Sequence, residues 1–220
     1  MPGIEGVLFD LDGILIDTEP IWERVRRTFA ERHGGRWTAD LQTRMMGART
    51  ADWSRALSEA TGGQMTTEAA AATVIEDLAA SYRQHLPVIE GAPAAVRALS
   101  RRFRLGLVSG SPPSLIALTL QLMDVAGCVE VAMSADDVER GKPAPDPYLE
   151  LARRMRLDPH VCVAVEDSGN GIRSASAAGA RLVAIPRGDL RPDAETLGLA
   201  DAVLGSIIEL TPELVAGLGV

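Results

Sequence analysis

Gly6-Val7-Leu8-Phe9-Asp10-Leu11-Asp12-Gly13 is the stretch on which the reading of this chain turns. A short apolar run ends on two aspartates and a glycine, the pattern of a buried strand running into a polar loop. Further apolar runs follow at Leu105–Val108, Val129–Met133, Val161–Val165, Leu182–Ile185 and Ala202–Leu204. Helical patterns lie between them, at Ala92–Arg101, Pro113–Met123, Pro147–Met155 and Gly171–Ala178. Alternating strand and helix is the signature of an α/β fold with a doubly wound parallel sheet. Runs such as Val161–Val165, without period-two alternation, suit strands buried on both faces.

The rhythm breaks after the first strand. Nearly a hundred residues pass before the second, and they carry helical patterns instead. Ile21, Val25 and Phe29 share one face, as do Val74, Leu78 and Tyr82. Asp17-Thr18-Glu19-Pro20 offers capping side chains and an early proline, as a helix start would. Leu86-Pro87 and Glu90-Gly91 mark the return to strand and helix alternation. The expected organisation is a catalytic core of residues 1–17 and 87–220 with an all-helical cap, residues 18–86, inserted after the first strand.

Composition narrows the function. At 220 residues, 46% hydrophobic and 24% charged, the chain has the makings of a globular protein with a sizeable core. A net charge of −8 argues against a general nucleic-acid or anionic-membrane surface, so any anionic substrate must meet local donors or a metal. Cys128 and Cys162 show no C-x-x-C spacing, and Cys162, inside an apolar run, reads as a buried free thiol. The N-terminus has no basic region, and its apolar stretch is interrupted by Asp10 and Asp12, unlike a signal peptide. The uncharged span Leu105–Met123 is divided by Pro112-Pro113 into strand, turn and helix rather than forming a membrane segment. The expected location is cytoplasmic and the expected assembly a monomer or weak dimer.

In open parallel sheets, ligands sit beyond the carboxyl ends of the strands. There the sequence places Asp10 and Asp12, then Ser109, then Glu166-Asp167, with Lys142 in the loop Gly141-Lys142-Pro143-Ala144-Pro145 and Asp146 as the expected N-cap of the following helix. Four converging carboxylates repel one another unless protonated or neutralised. A hard divalent cation resolves the conflict, and with oxygen ligands and no His or Cys in the motifs the natural choice is Mg2+. Magnesium favours phosphate chemistry, and Ser109, Lys142 and the backbone N–H groups of Gly110 and Ser111 suit the remaining phosphate oxygens. Taken singly each group has a plainer reading: a strand-end aspartate as a turn residue, a loop lysine as solvated, Ser168 as an N-cap. His33, His85 and His160 occur singly near element ends, and Trp22, Trp37 and Trp53 read as core. Gly169-Asn170-Gly171 and Gly141-Lys142 lack the further residues of a dinucleotide fingerprint or a P-loop.

In order, Phe9-Asp10-Leu11-Asp12-Gly13, Val108-Ser109-Gly110-Ser111, Gly141-Lys142-Pro143 and Glu166-Asp167-Ser168 with Gly171-Ile172 resemble the haloacid dehalogenase superfamily. The resemblance is strongest to the branch of β-phosphoglucomutase and small sugar-phosphate phosphatases, and it spans the chain. It implies that Asp10 attacks phosphorus to form an aspartyl-phosphate, and that Asp12 protonates the leaving alkoxide and then activates water. It further implies Mg2+ held by Asp10, the backbone carbonyl of Asp12, Asp167, and Glu166 as ligand or as a group behind the ligands. Ser109 and Lys142 would hold the phosphoryl group, and Lys142 would also steady Asp10.

Dehalogenase members lack an acid at the position of Asp12, so its presence implies phosphoryl transfer. Mutases of this branch carry a His where Trp22 stands and a Lys where Met46 stands, ahead of Gly47-Ala48-Arg49. Arg49 matches a cap arginine that contacts a distal phosphate in mutases, and Gly110 replaces a common Asn, leaving a backbone donor only. The expected function is a Mg2+-dependent phosphatase of a small sugar or polyol phosphate, with Trp22, Met46, Arg49 and Trp53 as candidate selectors. The alternatives are a phosphoglucomutase-type isomerase and, more remotely, a signalling receiver domain, whose phospho-accepting Asp would follow the third strand.

Overall fold

A computed structural model describes residues 3–45, 48–187 and 191–219. Its centre is a six-stranded, all-parallel sheet in the order β3-β2-β1-β4-β5-β6. The strands are β1 (Gly6–Phe9), β2 (Arg104–Ser109), β3 (Val131–Ser134), β4 (Cys162–Glu166), β5 (Arg181–Ala184) and β6 (Ala202–Val203). The helices are α1 (Glu19–Arg32), α2 (Ala39–Met45), α3 (Thr50–Ala60), α4 (Thr67–Gln84), α5 (Ala92–Ser100), α6 (Pro113–Leu122), α7 (Asp146–Met155), α8 (Gly169–Ala177), α9 (Ala194–Leu197) and α10 (Pro212–Gly217). The predicted α/β class holds, and the predicted strands and core helices fall within a residue or two of their places. Among the described residues no helix is long and apolar enough to cross a membrane.

Side chains alternate across a strand, so a strand covered on both sides must be apolar at every position. In β1 and β4, Val7, Phe9, Val163 and Val165 enter one core with α5 and α6. Leu8, Cys162 and Ala164 enter the opposite core with α7 and α8. This is the physical basis of the unbroken apolar runs. Cys162 is indeed a buried free cysteine, and burial pushes its thiol up to about 12.

A third apolar cluster belongs to α1–α4, where Phe29, Trp53, Leu57, Val74, Leu78 and Tyr82 interlock with Leu115 of α6. The chain enters and leaves this helical segment by adjacent paths. Asp17 N–H donates to the Pro87 carbonyl at 2.9 Å, and Ile89 N–H to that of Leu15 at 3.0 Å. Thr18 stands at the N-cap of α1 but makes no side-chain cap bond, against the sequence expectation; its hydroxyl is spent on Asp12 instead. Asp146 is likewise not an N-cap: it is the first residue of α7, and its carboxylate pairs with Arg140 at 2.8 Å. Ser168 does cap α8, accepting from Gly171 N–H at 3.0 Å.

Leu78 is fully buried in the helical cluster. Leu78→Ala should cost about 3 kcal/mol, read from the midpoint of urea unfolding; a loss under about 1 kcal/mol would mean that this cluster collapses around the gap.

Candidate active site

The strand order reverses beside β1, since β2 lies on one side of it and β4 on the other. Such a switch point opens a crevice at the carboxyl ends of the strands. Register sets what lines it: Phe9 lies opposite Leu107 and Val165, so Asp10, Ser109 and Glu166 emerge at nearly the same level. Asp10 is anchored by its own amide, which donates to the Val165 carbonyl at 3.1 Å. The chain then turns tightly, with Gly13 N–H donating to the Ile16 carbonyl at 2.7 Å.

Gly13 has φ +87°, a left-handed conformation that side chains disfavour, and a β-carbon there would lie 1.9 Å from an Asp167 carboxylate oxygen. Gly171 meets the same constraint from another direction, since a β-carbon would lie 1.9 Å from the Glu166 carboxylate. Both glycines are therefore needed where they stand, because the carboxylates fill the space beside them.

Lys142 arrives from the connection between β3 and α7. Its ammonium donates to Asp10 Oδ1 and to Glu166 Oε1, each at 2.6 Å. Tyr148 of α7, fully buried, donates its hydroxyl to the same Glu166 oxygen at 2.6 Å. Glu166 has no exposed surface, so an ionised carboxylate there depends on these charge-assisted bonds. Burial pulls the Lys142 pKa down, but Asp10 and Glu166 outweigh it and hold the ammonium above its ordinary value. Burial raises the Asp10 pKa well above its ordinary value; Lys142 opposes the rise, while Glu166 and Asp167 add to it. Asp167 is raised to about 7, by burial first and by Glu166 next.

Asp12 occupies a separate, hydroxyl-rich niche. Thr18 donates to its Oδ1, while Ser109 and Ser111 donate to its Oδ2 at 3.2 and 3.1 Å. Ser111 N–H, expected to await a phosphate oxygen, instead donates to Ser109 Oγ at 2.9 Å. Ser109 is thereby oriented onto Asp12. Gly110 lies between these serines, with no side chain to add.

Asp10, Glu166 and Asp167 each offer an oxygen, and these oxygens lie within 4.8 Å of one another. The donor set is all oxygen and anionic, and burial has raised two of its members toward protonation in the metal-free protein. A small hard cation such as Mg2+ fits such a set and would restore the ionised forms.

The structure thus brings together Asp10, Asp12, Ser109, Lys142, Glu166 and Asp167. Among the described residues Arg49 makes no hydrogen bond to that group: it donates to the Glu139 carbonyl at 2.8 Å, pairs with Asp52 at 3.3 Å and lies against Gly141, next to Lys142. It ties α3 to the loop leading to Lys142, as does Thr50 N–H, which donates to Asp136 at 3.0 Å. Trp22 and Trp53 are buried in the helical cluster, and Met46 and Gly47 lie outside the described residues. Among the described residues no histidine joins the site; His33, for one, packs on Phe29. Sequence reasoning missed Thr18, Tyr148 and the Ser111 hydroxyl. A polar residue at the end of an apolar helix face, directly behind the lysine loop, was the available signal for Tyr148.

Residues 4–179 match the haloacid dehalogenase-like hydrolase family, and the chain belongs to it. It is 32% identical over 177 residues to a phosphorylated carbohydrates phosphatase of Thermotoga maritima, covering 80% of this chain and 82% of that one. It is 30% identical over 224 residues to hexitol phosphatase B of Escherichia coli K12, covering 97% of both chains. In fold it is similar to the crystal structure of CbbY from Rhodobacter sphaeroides in complex with phosphate, with a TM-score of 0.84 at 23% identity, covering 97% of this chain and 99% of that one.

Because Asp167 titrates at about 7 when folded and near 3.8 otherwise, the metal-free fold holds a proton that the unfolded chain has released. Stability without metal should therefore fall as pH rises from about 4 toward 7, and Mg2+ should raise the thermal midpoint more at about pH 8 than at about pH 5. A Mg2+ shift that is equal at both pH values would contradict the cluster. Gly171→Ala, which forces a β-carbon into Glu166, should lower stability by about 2 kcal/mol in chemical unfolding.

Proposed function

We propose that this chain is a Mg2+-dependent phosphatase of small phosphorylated sugars or polyols, working through an aspartyl-phosphate on Asp10. The observation that carries the proposal is the division of labour between the two aspartates. Asp10 lies against a buried ammonium, and Asp12 lies two residues on in a hydroxyl niche. In this reading the first attacks and the second exchanges protons. Family membership and the two phosphatase relatives support the same reading.

With one oxygen held by Lys142, the other carboxylate oxygen of Asp10 attacks phosphorus as the ester P–O bond breaks. The leaving alkoxide takes a proton from Asp12. Water then attacks the phosphoryl group, returning a proton to Asp12 and freeing Asp10 and inorganic phosphate. Thr18, Ser109 and Ser111 fix the direction in which Asp12 presents its oxygens. Lys142 opposes protonation of Asp10 and withdraws charge from the transferring group, and Tyr148 locks Glu166 behind it. Mg2+ on Asp10, Asp167 and the Asp12 carbonyl, with Glu166 as ligand or support, would neutralise phosphoryl charge.

In this reading residues 18–86 act as the cap over a core of residues 1–17 and 87–220. The paired connections at Leu15–Asp17 and Pro87–Ile89 are its hinge, and Arg49 and Thr50 hold it closed against the lysine loop. Mutase activity is the weaker reading, because Trp22 is buried and offers no imidazole for proton exchange.

Asp10→Asn should reduce phosphate release by roughly 10³-fold or more while the protein stays folded, and EDTA should silence the wild type. Turnover that survives in Asp10→Asn would overturn the assignment.

A further inference from the structure

Ser134 closes β3 and takes no part in the chemistry proposed above. It pairs in register with Ser109 of β2 and is fully buried. Its hydroxyl donates to the Ser111 carbonyl at 2.9 Å and accepts from Asp136 N–H at 3.1 Å. Asp136 is anchored in turn, since its carboxylate accepts from Thr50 N–H of α3 at 3.0 Å. A buried hydroxyl with both kinds of partner is satisfied, and its plain reading is a cap on the short turn Ala135–Asp137.

Capping explains the bond that Ser134 accepts, not the bond that it donates. The donated bond crosses to the loop after β2 and lands on a residue that holds Asp12. Ser111 lies between Gly110 and Pro112, outside any helix or strand, so no regular ladder fixes its direction. Both of its backbone groups are nonetheless pinned. Its N–H donates to Ser109 Oγ at 2.9 Å, and its carbonyl accepts from Ser134. Its own hydroxyl then donates to Asp12 Oδ2 at 3.1 Å, beside that of Ser109 at 3.2 Å. Ser134, Ser111 and Ser109 thus form a buried ladder of hydroxyls that ends on one oxygen of Asp12.

We propose that Ser134 is a positioning residue for Asp12 that acts through Ser111: it fixes the Ser111 backbone, and with it the direction from which a hydroxyl reaches Asp12 Oδ2. This role rests on the phosphatase reading above and deepens it. Proton transfer needs its partners within hydrogen-bond reach, so an error in where Asp12 presents its oxygens falls on the step that uses its proton. That step is the departure of an alkoxide, which leaves poorly without a proton. A nitrophenolate is stable without one, so its departure depends far less on Asp12. Among the described residues Ser134 makes no hydrogen bond to Asp10, Lys142 or Glu166; its side chain bonds Ser111 and Asp136. Its loss should therefore weigh on the acid and spare the nucleophile, whereas a merely structural serine would affect both kinds of ester alike.

The test measures kcat/KM for sorbitol phosphate and p-nitrophenyl phosphate, with Mg2+ present, in wild type, Ser134→Ala, Ser111→Ala and the double variant, with folding checked by circular dichroism. In Ser134→Ala the value for sorbitol phosphate should fall roughly tenfold, while that for p-nitrophenyl phosphate falls by less than about twofold. The double variant should lose no more of this selectivity than Ser111→Ala alone, since the two residues act in series. No loss on either ester, equal losses on both, or losses that multiply in the double variant would overturn the role. Should Ser134→Ala not fold, Ser134→Cys, which keeps the shape and weakens the donor, must show the same selective loss; equal losses there would be just as fatal. No phosphate from any ester with the wild type would overturn the phosphatase reading itself, and this role with it.

Discussion

A single ammonium group sets the terms for the whole site. Lys142 touches Asp10 and Glu166, both nearly or wholly out of water, and Asp167 stands close enough to share a cation with them. Three carboxylates and one ammonium leave two negative charges when all are ionised. Without a further cation, burial raises Asp10 and Asp167 toward protonation instead. A divalent ion would balance the remainder, and the acidic cluster offers it three oxygen ligands.

The fold exists to make that crowding tolerable. Parallel strands buried on both faces bring Asp10, Ser109 and Glu166 to one level without any side chain having to reach. Lys142 must cross from the β3 side to meet them, and α7 stabilises its arrival by placing Tyr148 on Glu166. Gly13 and Gly171 leave the carboxylates their room. The helical segment is tied into the same arrangement: Thr18 bonds Asp12 from the start of α1, and Arg49 and Thr50 bond the loop before Lys142. Its hydrogen bonds thus reach both Asp12 and the loop before Lys142.

Much of this was legible in the sequence, for a physical reason. Strands buried on both faces must be continuously apolar, so β1 and β4 announce themselves, and the first polar residue closing each run, Asp10 or Glu166, belongs to the acidic cluster. The core helices were found to within a residue or two because glycines and prolines bound them. Less legible were residues whose role depends on what they face across space. Thr18 reads as a helix cap until its hydroxyl is seen on Asp12. Asp146 reads as a cap until Arg140 is seen to claim it. Tyr148 and Arg26 lie on faces that pack inward, where periodicity cannot separate a polar tip with a task from one that is merely tolerated. Trp22 and Trp53, read as core, are core, yet the cation between them gives that core a polar seam.

The central claim is covalent transfer of phosphorus to Asp10, and it can be caught chemically. Borohydride reduces an acyl phosphate to an alcohol, so quenching turnover with it should convert the phosphorylated aspartate to homoserine. Peptide sequencing by mass spectrometry should then find homoserine in place of Asp10, only when Mg2+ and a phosphate ester are both present. Homoserine at another aspartate, or none at all while phosphate is being released, would contradict the account.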